Sequence, residues 1–109
     1  MQSLSALADP TRRKIVELLA ERERTAGELV REFDVSGPAI SQHLNVLRSA
    51  GLVVTRVEGQ TRVQSLNPAG FDELEAWLQR TRRFWSRRLD ALERELRADD
   101  RRKRRGKIS

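Results

Sequence analysis

The feature that most constrains this chain lies in its last third, where the apolar positions run Phe71, Leu74, Leu78, Trp85, Leu89, Leu92 and Leu96, with Trp77 and Phe84 alongside. Trp85, Leu89, Leu92 and Leu96 alternate by four and three, the spacing of a coiled-coil seam. Unbroken from Pro68 to Ala98, the helix they predict is about 46 Å long at the usual rise per residue. With 109 residues, 38% apolar and 35% charged, the remainder of the chain builds only a small core and cannot cover such a rod. Small cores are marginal alone, so the uncovered seam predicts an intermolecular partner. We read it as the dimer element of a homodimer, formed by Leu74, Leu78, Trp85, Leu89, Leu92 and Leu96 with Leu4 and Leu7 of a short N-terminal helix.

Upstream, the chain is punctuated by helix-start signals. Asp9-Pro10 supplies a capping carboxylate and a proline at the one turn where a missing N–H costs nothing. Ile15, Val16, Leu18 and Leu19 then form an apolar stripe. Thr25 followed by Glu28 is a capping box, with Leu29, Val30 and Phe33 facing inward. Ser36 caps a further helix whose Ile40, Leu44 and Leu47 face the core, and Gly51 closes it as a left-handed stop. Two short helices joined by a tight turn make a helix-turn-helix.

The period changes after Gly51. Residues 52–57 and 61–66 alternate and are rich in β-branched side chains around Glu58-Gly59-Gln60, which predicts a hairpin. A lone hairpin is unstable, so it must lean on the helices as a wing. The fold class is therefore mainly α with a small β-hairpin: a winged helix-turn-helix with a long C-terminal dimerisation helix. The expected layout is one domain over 1–98, with dimerisation helices at 3–8 and 68–98, the helix-turn-helix at 26–50 and the wing at 52–66. A basic tail at 99–109 is expected to be disordered.

Charge narrows the function. Six of the 22 Lys and Arg residues fall in 101–109, leaving 16 basic against 16 acidic residues before them, so the net charge of +6 belongs to the tail. A basic tail points to a polyanion without naming it. With no cysteine, no tyrosine and one histidine, the chain has almost no general acid–base or nucleophilic equipment. It has no nucleotide-binding glycine loop and no Ser/His/carboxylate grouping, so an enzyme is not expected. The first ten residues lack an apolar targeting run, and no stretch is apolar enough for a membrane span. A cytoplasmic protein without a membrane partner is expected.

Three segments together carry a family likeness: Leu7-Ala8-Asp9-Pro10-Thr11-Arg12-Arg13-Lys14-Ile15, then Ile40-Ser41-Gln42-His43-Leu44-Asn45-Val46-Leu47-Arg48-Ser49-Ala50-Gly51-Leu52-Val53, then the Gly59 wing with Leu66-Asn67-Pro68. In this order and spacing, covering residues 4–68, the chain closely resembles the ArsR/SmtB family, small dimeric winged-helix repressors of bacteria. The resemblance implies that the helix from Ser36 to Ala50 enters the major groove of double-stranded DNA. A helical wheel drawn from the residues points Pro38, Gln42, Asn45 and Ser49 outward, with Ser41 on the flank. The N-terminal part of a recognition helix approaches base edges most closely, which favours Gly37, Pro38, Ser41 and Gln42. Gln42 can pair two-pronged with adenine, Ser41 can donate or accept, and Pro38 offers an apolar face to a thymine methyl. Gly37 stands where the family often carries a polar side chain, so one base contact is missing.

The remaining candidates for DNA contact are Ser36, His43, Arg48, Arg56 and Arg62. His43 sits beside the core stripe and suits a boundary or phosphate role more than base reading. Between Val35 and Phe71 there are three arginines and a single acid, Glu58, a bias toward phosphate contact by the wing. Arg80, Arg82, Arg83, Arg87 and Arg88 read as a solvated helix face, with phosphate contact as the minor alternative. Many members of the family release DNA on binding metal, through a cysteine pair or through carboxylate and histidine ligands on the last helix. Val30 and Glu32 stand here where the cysteines would be, and no histidine lies between Phe71 and Ala98, so neither a metal nor another cofactor is expected. A rival reading is a protein-interaction module that has lost DNA binding; acids on the outward face of the Ser36–Ala50 helix would support it, and none is present. RNA binding through the tail is a further possibility.

Overall fold

The computed structural model describes residues 2–108, with side chains described as far as Lys103. In chain order the elements are α1 (Gln2–Ala6), α2 (Pro10–Glu21), β1 (Arg24–Thr25), α3 (Ala26–Val30), α4 (Gly37–Ser49), β2 (Val53–Glu58), β3 (Thr61–Leu66) and α5 (Pro68–Ile108). The chain divides into two compact units, Met1–Leu74 and Glu75–Ser109.

In the first unit the helices begin where the capping residues place them. Asp9 Oδ1 accepts from the Thr11 and Arg12 amides at 2.8 and 3.1 Å. The Arg12 amide bond foremost holds this carboxyl below its ordinary range. The capping box is reciprocal: the Glu28 amide donates to Thr25 Oγ1 at 3.1 Å, and the Thr25 amide donates to Glu28 Oε1 at 3.2 Å. Glu28 also accepts from Arg22 at 2.9 Å, and that bond is the main reason its acidity is raised. Ser36 Oγ accepts from the Ala39 amide at 3.3 Å. Helix α4 stops at Gly51, whose φ of 77° only glycine adopts without strain.

These helices close around Ala6, Ile15, Leu19, Leu29, Ile40, Leu44, Leu47, Leu52 and Val53. The inward residues of α4 are the three that its spacing selects, Ile40, Leu44 and Leu47. Helix α1 turns Ser3 and Ala6 inward, small side chains that permit a close approach to α4. Leu7 is half-buried against the core and Leu4 is 38% exposed. The junction into α5 is equally tight. Asn67 donates from its amide to Leu52 O and from Nδ2 to Gly51 O, both at 2.9 Å. A Cβ added to Gly70 would lie 1.9 Å from the Gly51 carbonyl oxygen, so only glycine fits there.

The structure departs from the sequence expectations in three places. The wing belongs to a three-stranded antiparallel sheet ordered β1-β3-β2, not to a free hairpin. Arg24 and Thr25 pair with Gln64 and Val63. Thr25 is extended because it is the N-cap of α3, and that same extension serves as a short edge strand; two residues are too few to show a period. Leu74, read as part of the seam, is instead 8% exposed and buried within the first unit. Helix α5 does not end at Ala98 but runs to Ile108. Arginine and lysine are good helix formers, and Asp99 and Lys103 pair one turn apart at 3.5 Å, so the charge that suggested a disordered tail also suits a solvated helix. The tail side chains Arg104, Arg105 and Lys107 lie outside the described residues.

The second unit is helix alone. Its Leu78, Trp85, Leu89, Leu92 and Leu96 are all at least half exposed. Phe84 meets Trp85 edge-on at 5.7 Å and lies under the Arg88 guanidinium at 4.3 Å. No described helix is long and apolar enough to cross a membrane.

Candidate DNA-binding face

With Ile40, Leu44 and Leu47 buried, the opposite surface of α4 is fixed by helical geometry. Pro38, Gln42, Asn45 and Ser49 are exposed there, with Ser41 exposed on the flank and Ser36 at the N-cap, and none is charged. Gly37 is half-buried, with nothing within 4 Å of where a Cβ would stand. The position that lacks a side chain therefore has room for one.

His43 and Arg48, the two basic candidates on α4, are engaged within the protomer. His43 is half-buried, with Nδ1 3.3 Å from Arg12 Nη1. Arginine can only donate, so Nδ1 accepts, and the imidazole joins α4 to α2. Arg12 is held in turn by Ala6 O, which its Nε reaches at 2.6 Å. Arg48 donates from Nη1 to Thr55 Oγ1 at 2.9 Å and Gln64 Oε1 at 3.2 Å, and from Nη2 to Asn45 Oδ1. Gln64 is 2% exposed, and Thr55 Oγ1 donates to its Oε1 at 2.7 Å. This bonded group spans α4, β2 and β3, and it fixes the angle between helix and wing.

The two wing arginines stand in different electrostatic settings. In the β2–β3 register, Thr55 faces Gln64 and Val57 faces Arg62, so Arg62 shares a sheet face with the residues bonded to Arg48. Arg56 lies on the other face. There it donates to Glu23 at 2.7 and 3.3 Å and to Glu58 at 2.8 Å. Hydrogen bonding and charge from Glu23, then Glu58, push the guanidinium further toward its charged form, and the Arg56 bond draws Glu23 below its usual carboxylate range. Arg62 is exposed and, among the described residues, has no carboxylate within ion-pairing distance. Its charge is uncompensated on the α4 side of the wing.

Sequence reasoning did not single out Thr55, Gln64 or Arg12. The first two left a signal, because they are polar residues at core-facing positions of alternating strands, where a buried group needs a partner. Arg12 left none, since its contact with His43 joins positions 31 residues apart. Among the described residues, no three His, Asp or Glu side chains converge as a metal site would require.

Comparison with known proteins agrees with this geometry. Residues 9–55 match the model of the bacterial regulatory proteins of the arsR family. The chain is 51% identical over 84 residues to the HTH-type transcriptional regulator Rv2034 of Mycobacterium tuberculosis, covering 77% of this chain and 76% of that protein. It is 40% identical over 73 residues to the transcriptional repressor SdpR of Bacillus subtilis, covering 67% and 81% of the two chains. An ArsR-like transcriptional regulator from Rhodococcus superposes with a TM-score of 0.70 at 31% identity, over 85% of this chain and 88% of that one. The likeness takes in the capped α2, α4 and the start of the wing. The chain belongs to the ArsR family of bacterial transcriptional regulators.

Proposed function

We propose that the protein is a homodimeric repressor that binds an inverted-repeat operator through α4 and represses by covering a promoter in the cytoplasm. The observation that carries this reading is the outer surface of α4: a row of exposed, uncharged, hydrogen-bonding or apolar side chains on a helix whose other face is locked into the core. Such a row can enter a groove without repelling phosphate. Gln42 reads adenine, Ser41 and Asn45 hydrogen-bond base edges, and Pro38 meets a thymine methyl. Ser36 and Gly37 bring the start of the helix close to the backbone. Arg62 contacts phosphate from the wing. Arg56 does so only by giving up its carboxylates, and its contribution is smaller. Arg48 and His43 act by holding α4 at its angle rather than by touching bases.

The homodimer rests on the exposed seam of Leu78, Trp85, Leu89, Leu92 and Leu96, and the exposed Leu4 is a further apolar candidate for the interface. Two recognition helices about 34 Å apart suit successive major grooves on one side of the duplex. The relative named a repressor supports closing a promoter rather than opening one.

The test begins with an inverted repeat in the DNA upstream of the protein's own gene. Wild-type protein should shift that duplex in a gel at concentrations where random duplex stays free. Gln42→Ala should lower the preference for the repeat by about tenfold, the value of one good side-chain contact to a base, and leave affinity for random duplex unchanged. Gly37→Gln should fold normally and change which base is preferred at one position of each half-site. An unchanged preference in Gln42→Ala removes that side chain from base reading. A wild-type protein with no preference for any inverted repeat overturns the whole proposal.

A further inference from the structure

The apolar seam occupies one narrow side of α5; both signs of charge flank it, and the face opposite it is almost wholly basic. At about 100° per residue, Glu75, Glu93 and Asp100 flank the seam on one side together with Arg82, and Glu95 and Asp99 flank it on the other together with Arg88. Arg80, Arg83, Arg87, Arg94 and Arg101 fall on the face diametrically opposite, all exposed, with Asp90 the one acid at its margin. Four of these arginines recur at seven-residue intervals, so the row drifts only about 20° per heptad.

A helix face that is merely solvated mixes its signs and pairs them one turn apart. The pairs that exist here, Glu93 with Arg97 and Asp99 with Lys103, use residues on or beside the seam. The five arginines of the opposite face have no carboxylate within ion-pairing distance among the described residues. Every basic residue between Glu75 and Asp100 is arginine, the side chain whose planar fork matches phosphate oxygens.

We infer that this arginine row is a second contact surface for the phosphate backbone of double-stranded DNA, independent of base reading by α4. The inference rests on the protein acting on DNA. From Arg80 to Arg101 the row is about 32 Å long. Duplex DNA carries a negative charge every ~1.7 Å of its axis, so a duplex alongside offers each arginine a phosphate. An anionic membrane fits the charge order less well. A helix lying on lipid immerses its apolar side and keeps cations beside it at headgroup level, and here five acids outnumber Arg82, Arg88 and Lys103 beside the seam while the arginine row points away.

The experiment compares wild-type protein with Arg80→Gln/Arg83→Gln/Arg87→Gln and with Arg94→Gln/Arg101→Gln, keeping the rest of the basic C-terminus intact. Binding to a random-sequence 60-base-pair duplex is measured from 50 to 200 mM salt, beside the inverted repeat and vesicles containing phosphatidylserine. Each arginine that meets a phosphate adds ~0.9 to the slope of log affinity against log salt. The triple variant should therefore lose about 2 to 3 from the slope per chain and bind random duplex at least tenfold more weakly. The double variant should lose about two thirds as much slope, and both should retain the wild-type preference for the repeat over random duplex and the wild-type helicity. Unchanged slopes in both variants, while wild-type protein still prefers the repeat, overturn the row and leave the groove reading standing. Absence of any repeat preference with the slopes still falling overturns the groove reading instead. Vesicle binding that disappears in the variants while duplex binding is unaffected assigns the row to a membrane surface and overturns the proposal.

Discussion

The first unit and the second solve the problem of burying apolar surface in opposite ways. Up to Leu74 the chain closes a core around nine apolar residues, caps the starts of α2, α3 and α4, and leaves no buried side-chain nitrogen or oxygen without a hydrogen-bond partner among the described residues. From Glu75 onward there is one helix, and its large apolar side chains stand half exposed or more. Helices in proteins owe little stability to propensity and most of it to packing of an apolar face. The first unit is thus complete in itself, while the second unit has its stabilising surface still uncovered. That contrast is the physical basis of the proposed homodimer.

The sharpest way to break the contrast is to remove one leucine from each unit. Leu44→Ala empties a site that is fully enclosed in the first unit and should cost about 3 kcal/mol or more in urea unfolding. Leu89→Ala removes the same atoms from a side chain that is 62% exposed. It should leave the first unit's unfolding within about 0.5 kcal/mol of wild type and instead weaken self-association by roughly tenfold in sedimentation, about the value of burying one leucine. Equal losses of folding stability in the two variants would erase the distinction between a finished and an unfinished unit.

Gly70→Ala probes the boundary of the finished part. A methyl group there meets the Gly51 carbonyl oxygen at 1.9 Å, and neither backbone can yield without moving α5 or the end of α4. Overpacking of this kind should cost about 2 to 3 kcal/mol, measurable as a lower melting temperature. Gly37→Ala, with open space around it, should change stability by no more than about 0.5 kcal/mol. Should Gly70→Ala melt with wild type, the tight entry of α5 is not what holds that junction.

How much of this was legible in the sequence follows from the range of each interaction. Caps and stops depend on residues two to four apart, so Asp9, Thr25, Ser36 and Gly51 announced their roles, and the three inward residues of α4 followed from spacing alone. The outward face of α4 came from the same wheel. Contacts between distant segments were not legible. Nothing local to Arg48 says that it will bond Thr55 and Gln64, and nothing near Arg56 says that Glu23 will neutralise it across 33 residues. Leu74 carries the seam's spacing, yet the core reaches it first. The end of α5 was misplaced because a run of like charge reads as a solvated tail and as a solvated helix with equal ease.

The bonded group on Arg48 gives the next effect in size. Arg48→Met keeps the length of the side chain but leaves Gln64 Oε1, 2% exposed, with only Thr55 as donor. An under-satisfied buried acceptor costs about 1 to 3 kcal/mol, so thermal unfolding should show a loss near 2. Operator affinity should fall by more than random-duplex affinity, because the variant frees the angle between α4 and the wing while removing no outward base contact. If instead both affinities fell equally and the salt slope dropped by about 0.9, Arg48 would be a phosphate ligand and not a brace.

The smallest effect separates a cap in the first unit from an ion pair in the second. Asp9→Ala removes an acceptor for two amides and should cost about 1 kcal/mol at pH 7, whereas Asp99→Ala breaks one exposed pair and should cost at most about 0.5 kcal/mol. Asp9 is held below its ordinary acidity range in the folded chain, chiefly by the Arg12 amide. Its stabilisation is therefore fully present above the unfolded aspartate value of about 3.9 and is lost as the pH falls through the lower folded value. The stability difference between wild type and Asp9→Ala should accordingly hold steady from pH 7 to about pH 5 and narrow below about pH 4. Asp9→Asn keeps an acceptor that does not titrate, so it should stay close to wild type at pH 7 and lose this acid-dependent part. A gap that widened on acidification would mean that the carboxyl is favoured in its protonated form, the reverse of what two donated amides impose.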